Sequence, residues 1–330
     1  MGIELAYGRQ GLLLELPSDV PVDIIRKPTM PKYADPAFAV ANVLDQSGVS
    51  ERASGCQSAC IVICDITRPV PNHLFLRPLI ERIAAGGVAL ERIAVLVATG
   101  LHRPNVGAEL EELIGDRWVM EHVRIINHDA RHPDIHVDLG KTKTRGTPVR
   151  LNREFVDADL RIVSGLVEPH FMAGYSGGRK VIAPGIAHEN TIRTFHSGHF
   201  MADPAARNCN FTNNPLHEEQ LEIVSMLGEV DAVNTVIDEE RSLAFANFGP
   251  VIESHQEAVD FVRQYCEIEI PRRYRTIVTT AAGYPLDKTY YQTVKGMVGA
   301  MGILAEDGNL VIASECSEGI GSPCSSLGFS

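Results

Sequence analysis

Hydrophobic residues fall along this chain in short blocks separated by amphipathic stretches. Apolar blocks rich in β-branched residues stand at 59–64, 92–98, 123–127, 160–164, 232–237, 276–280 and 310–313. They read as strands. Between them, apolar positions recur at helical spacing over 73–85, 108–114, 189–198, 215–227, 251–265 and 288–297. Strands alternating with helices predict an α/β protein. The segment IEIPRR follows a long amphipathic helix and precedes a new strand. It predicts a larger N-terminal α/β domain over 1–270 and a smaller, partial α/β domain over 271–330.

In open α/β sheets, ligands bind beyond the carboxyl ends of the strands. Here those ends are chemically rich. The block at 59–64 runs into Asp65-Ile-Thr67-Arg68-Pro69, and the one at 92–98 into Thr99-Gly100-Leu101-His102-Arg103-Pro104. The third runs into His128-Asp129, and the fourth into Gly165, Glu168, Pro169 and His170. These four ends are expected to converge on one site. Arg68 offers a planar fork to a carboxylate or phosphate, although a salt bridge within the turn would use the same residues.

Composition narrows the class. With 45% hydrophobic and 22% charged residues, the chain is an ordinary globular protein. A net charge of −12 argues against nucleic-acid binding but leaves room for a local basic pocket. No run approaches the roughly 20 apolar residues of a membrane span. Glu4 and Arg9 interrupt the start, so a signal peptide is not expected. Seven cysteines, an odd number, suit reduced thiols and a cytoplasmic location. Cys56, Cys60 and Cys64 recur at every fourth residue but surround a buried strand, so they read as core rather than as a metal site. His128, His132 and His136 share that spacing, yet Pro133 breaks any helix that would gather them.

The densest segment runs from Glu168 through His170, Gly174, Ser176, Gly177, Gly178 and Arg179 to Lys180. Glycines allow close backbone approach to a ligand, and the basic residues add donors. A buried lysine could also act covalently. Val181 after Lys180 excludes a P-loop, and no dinucleotide fingerprint is present. A Schiff base to pyridoxal phosphate stays open on these residues alone. Near the end, GYPLDKTYYQTVKG opens a helix at 288, with Asp287 expected as its N-cap and Gln292 and Lys295 on one face.

Five motifs stand in order: DITRP (65–69), ATGLHRP (98–104), EPHFMAGYSGGRK (168–180), PGI with a downstream histidine (184–196) and GYPLDKTYYQTVKG (283–296). Together they resemble the lactate racemase family, the nickel-dependent 2-hydroxyacid racemases and epimerases. The likeness runs from the YG near the start to SECSEGIGSP. It implies a two-domain α/β fold with a cofactor cleft between the domains. It also implies a nickel pincer nucleotide, a pyridinium-3,5-bisthiocarboxylate mononucleotide carrying nickel, attached covalently at Lys180. His196 is then the protein ligand to nickel, with His199 its near competitor. His102 and His170 become the acid/base pair. Asp65, Arg68 and Lys295 are expected at the cofactor, and Arg68, Gln292 and Lys295 at the substrate.

Such an enzyme would invert C2 of lactate or a related acid by reversible hydride transfer. The residue types suit that chemistry: two histidines can move the hydroxyl proton, while cations hold the carboxylate. The implied partners are a small 2-hydroxy acid and the proteins that mature the cofactor, with neither nucleic acid nor membrane. Family members continue past the GIGSP element, so the resemblance also implies a C-terminally truncated chain. The alternative reading is a truncated paralogue that binds cofactor or an anion without turnover.

Overall fold

The computed structural model describes residues 1–321. Cys324 and the end of the SECSEGIGSP element lie outside them. The chain forms two compact units, one of Thr29–Gln264 and the other of Met1–Pro28 with Tyr265–Ser330.

The larger unit is built on a six-stranded sheet. Its order is Leu243–Pro250, Asp231–Ile237, Leu160–Leu166, Ala59–Cys64, Ile93–Ala98 and Arg124–Asn127. All neighbours are parallel except the first pair, which is antiparallel. A parallel sheet is covered on both faces, so its strands read as unbroken apolar runs. The strand Ala59–Cys64 shows why. Ile61 and Ile63 pack on one face with Leu44, Phe75, Leu79 and Ile83. Cys60 and Val62 pack on the other with Phe155, Ile182 and Phe195. Each fully buried side chain of this size contributes about 1.5–3 kcal/mol. Cys60 is core, and Cys56 and Cys64 pack against the two clusters.

The expected strands are all present, with shifted ends. Elements not expected include the edge strand Leu243–Pro250, the helix Pro36–Gln46, capped by the Asp35 side chain, and the antiparallel pairs Gly2–Leu5 with Leu12–Glu15 and His136–Lys141 with Pro148–Asn152. The helix expected over 189–198 ends at Phe195, and Gly198–Met201 starts a separate turn. Among the described residues no helix is long and apolar enough to cross a membrane.

The smaller unit pairs Tyr274–Thr280 with Leu304–Ala313 in parallel across the helix Tyr290–Met301. Residues 1–28 join this unit rather than the segment that follows them. The Gly8 amide donates to Asp287 Oδ2 at 2.7 Å, the Tyr284 amide donates to the Gly8 carbonyl, and Asp23 pairs with Arg272. Asp287 is therefore not the helix cap. Thr289 caps the helix instead, and Asp287 is fully buried, holding the Gly8 and Glu315 amides.

Candidate functional site

Sheet order locates the site. The first strand of the larger unit's sheet, Ala59–Cys64, lies near its centre. The chain then adds Ile93–Ala98 and Arg124–Asn127 on one side and Leu160–Leu166 on the other. This reversal is a topological switch point, where the loops leaving adjacent strands diverge and open a crevice. The loops that leave here carry Asp65 and Arg68, His102, and Glu168 and His170.

Asp65 is buried and holds His102. Its Oδ2 lies 2.6 Å from His102 Nδ1, and its Oδ1 accepts from the Thr67 hydroxyl at 2.6 Å and the Thr67 amide at 3.2 Å. Burial pushes the Asp65 carboxyl up, but His102, Thr67 and Arg68 together draw it below its ordinary value. A carboxylate only accepts, so His102 carries its proton on Nδ1 and presents a lone pair at Nε2.

His170 has the opposite tautomer. Its Nδ1 accepts from the Met172 and Ala173 amides, both at 3.2 Å. The neutral ring therefore carries its hydrogen on Nε2. The ring stands on a small hairpin, Pro169–His170 against Gly174–Tyr175. The Ser176 hydroxyl ties that hairpin down by donating to the Leu166 carbonyl at 2.7 Å.

Arg68 faces Glu168, Nε to Oε1 at 3.8 Å. Lys180 is partly buried in the short helix Arg179–Ile182. Desolvation, followed by the charge of Arg68, lowers its ammonium pKa to about 8. Cys64 and Glu168 act on it in the other sense. The sequence did not single out Glu168 as the partner of Arg68, nor Cys64 as a neighbour of Lys180.

The glycines before Lys180 serve packing within the protein. Gly178 has φ +49°, and a Cβ there would lie 2.5 Å from His255 Cγ. Gly177 has φ +78°, and a Cβ there would lie 2.9 Å from Val167 Cγ2. The loop is thus seated on the end of the strand Leu160–Leu166 and on the helix Val251–Cys266. Close backbone approach is needed, but to the protein's own residues.

His196 caps the C-terminal end of Glu189–Phe195 and donates Nδ1–H to the Ile192 carbonyl at 2.9 Å. That bond makes Nε2 the lone-pair nitrogen, the arrangement typical of a ligating histidine. Gln292 and Lys295 lie in the smaller unit on one face of Tyr290–Met301, where the Lys295 ammonium donates to Gln292 Oε1. Asp65, Arg68, His102, His170, Lys180 and His196 all belong to the larger unit.

His128 and His136 support the segment leading to His196. His128 Nε2–H donates to the Ala187 carbonyl at 3.0 Å, while Nδ1 accepts from Asn152. His136 packs edge-on between His128 and His188. Burial lowers both His128 and His136 to about 4. Unfolded, they titrate near 6.5. The unfolded chain therefore binds more protons between these values. Stability from this pair is full above pH 6.5 and is lost as pH falls toward 4. Each unit of depression corresponds to about 1.4 kcal/mol. Urea midpoints at neutral and mildly acid pH should show this loss, and His136→Phe should flatten it. An unchanged slope in that variant would remove the cluster as its cause.

Comparison with known proteins places the chain in a family. The lactate racemase N-terminal domain profile matches residues 7–208, and the C-terminal domain profile matches 272–324. The lactate racemase of Thermoanaerobacterium thermosaccharolyticum is 31% identical over 325 residues, 97% of this chain and 75% of that protein. The lactate racemase of Lactiplantibacillus plantarum is 33% identical over 288 residues, 85% of this chain and 65% of that protein. The apoprotein structure of the Thermoanaerobacterium enzyme superposes with a TM-score of 0.84 at 29% identity, covering 98% of this chain and 76% of that one. A Thermotoga maritima protein shares the fold at TM-score 0.65 and 21% identity, covering 77% of this chain and 65% of that one. The chain belongs to the lactate racemase family of isomerases.

Proposed function

We propose that the protein inverts C2 of a 2-hydroxy acid, lactate or a close relative, using a nickel pincer nucleotide attached at Lys180. The observation that supports this reading is the pairing of loops that leave three adjacent strands, His102 with Asp65 and Arg68 with Glu168, with Lys180 in electrostatic contact with Arg68.

The residues fit the group. A lysine lowered to about 8 supplies the neutral amine that a covalent link requires. His196 presents Nε2 as a nickel ligand, with Nδ1–H fixed by a carbonyl. When bound, the cofactor would supply a hydride acceptor for C2. The protein supplies binding, orientation and proton movement. Arg68 holds the substrate carboxylate and the cofactor anions. His102 Nε2 takes the hydroxyl proton in one direction and, as imidazolium, gives it back. The neutral His170 ring donates a hydrogen bond from Nε2–H to the same oxygen, and acts as the acid only once it is itself protonated. The same chemistry requires maturation proteins as partners, and the thiol usage favours the cytoplasm.

The test is a panel of enantiopure 2-hydroxy acids given to protein co-expressed with the maturation system. Inversion is expected for at least one acid, with deuterium at C2 retained in the product. Hydrogen from solvent at C2 after one turnover would overturn the hydride reading. Cofactor mass without inversion of any acid would instead mark a protein that binds without turnover.

A further inference from the structure

Arg179 precedes Lys180 but belongs to a different neighbourhood. Its side chain is buried, with 2% exposure. One terminal nitrogen, Nη2, donates to the Ala173 carbonyl at 2.8 Å and the Tyr175 carbonyl at 3.3 Å. The other, Nη1, lies 3.4 Å from His255 Nε2. That nitrogen already donates to the Ser176 carbonyl at 2.8 Å, so it has no lone pair to offer. Arg179 Nε is buried without an acceptor. No carboxylate among the described residues forms an ion pair with Arg179. The Phe211 ring lies 4.6 Å from its Cζ, and His217 stacks on that ring. A buried guanidinium without a counter-anion is costly, and proteins rarely leave one so.

Arg179 also lines a cavity of about 490 Å³ between the helices Pro215–Ser225 and Val251–Cys266. That volume suits a small molecule. His217 also lines it, and its Nδ1 is buried without a partner. Leu221, Val251 and Ile252 make its apolar wall. Glu253, Glu257 and Asp260 stand at its exposed margin. Glu257 is bonded to Asn247, and Asp260 to Gln256. An acidic margin disfavours a multiply charged anion, while one negative charge is what Arg179 lacks.

We propose that this cavity binds a small monocarboxylate. Its oxygens accept from Arg179 Nε and Nη1 and from His217, and its apolar body lies on Leu221, Val251 and Ile252. The site is separate from the proposed racemisation and needs neither cofactor nor turnover. It touches that machinery through Arg179, whose Nη2 holds the hairpin bearing His170, and through His255, which donates to the Ser176 carbonyl.

The test follows the His217 ring by NMR in the full chain labelled at histidine, during titration with butyrate, butyramide and inorganic phosphate. Butyrate should shift the His217 signals saturably. It should also raise the ring's pH midpoint, which burial and Arg179 hold at about 3. Butyramide and phosphate should bind at least about tenfold more weakly, a difference of about 1.4 kcal/mol. Leu221→Trp fills the cavity and leaves Arg179 in place, so it should abolish the response. Arg179→Met should do the same, and if that variant fails to fold, Leu221→Trp decides. Equal binding of butyramide, tighter binding of phosphate, no saturable shift, or an unaltered response in Leu221→Trp would each overturn the proposal.

Discussion

Lys180→Ala is expected to remove both the cofactor mass increment and all C2 inversion. Lys180→Arg should do the same. Arginine keeps a positive charge but has no nucleophilic amine, so charge and covalency are separated in one comparison. Desolvation and Arg68 hold the Lys180 ammonium at about 8. Burial disfavours the charged form, so the neutral amine becomes abundant as pH rises through that value. Cofactor attachment should accelerate over the same interval. A covalent tether also replaces a bimolecular encounter, so its loss should lower turnover by on the order of 10³-fold or more even when free cofactor is supplied. Intact mass and optical rotation, measured on one preparation, check both halves. A normal mass increment in Lys180→Ala would move the attachment to another residue.

Much of this architecture was legible because burial on two faces leaves a mark on sequence. The strand Ala59–Cys64 has no polar residue between its ends, and only a strand covered on both sides tolerates that. The edge strand Leu243–Pro250 carries a weaker mark. Its alternation includes Asn247, whose amide is satisfied by Ser254 and Glu257 from the next helix, and no local rule foretells that. The helix Pro36–Gln46 was announced by Asp35 followed by Pro36, a cap and a first-turn proline.

The site shows the same division. Motif residues could be named from sequence because loops at strand ends carry unusual chemistry. Their pairings could not, because they depend on sheet order. Asp65 meets His102 across 37 positions only because the strands Ala59–Cys64 and Ile93–Ala98 are neighbours. Arg68 meets Glu168 because Leu160–Leu166 flanks the other side. Arg179 and Lys180 look alike in a GGRK string. Consecutive residues of a helix point in different directions, so one enters the switch-point crevice and the other is buried toward Phe211.

Asp65→Asn is expected to lower kcat by about 10²–10⁴-fold, the range of positioned acid/base catalysis, while leaving cofactor bound. The reason lies in the two carboxylate oxygens. Oδ1 receives two donors from Thr67, the hydroxyl and the amide. In the asparagine variant the carbonyl oxygen must stay there, which turns the amide nitrogen toward His102. That nitrogen donates, so His102 Nδ1 must accept, and the ring's hydrogen moves to Nε2. His102 then presents a hydrogen where the reaction needs a lone pair. His102→Ala should cost a similar factor, and the double variant should be no worse than either single one, because both remove the same base. Substrate affinity should change little, because Arg68 and its partner Glu168 are untouched. A large rise in KM with kcat preserved would make Asp65 a binding residue. Additive losses in the double variant would show that Asp65 acts by a route other than His102.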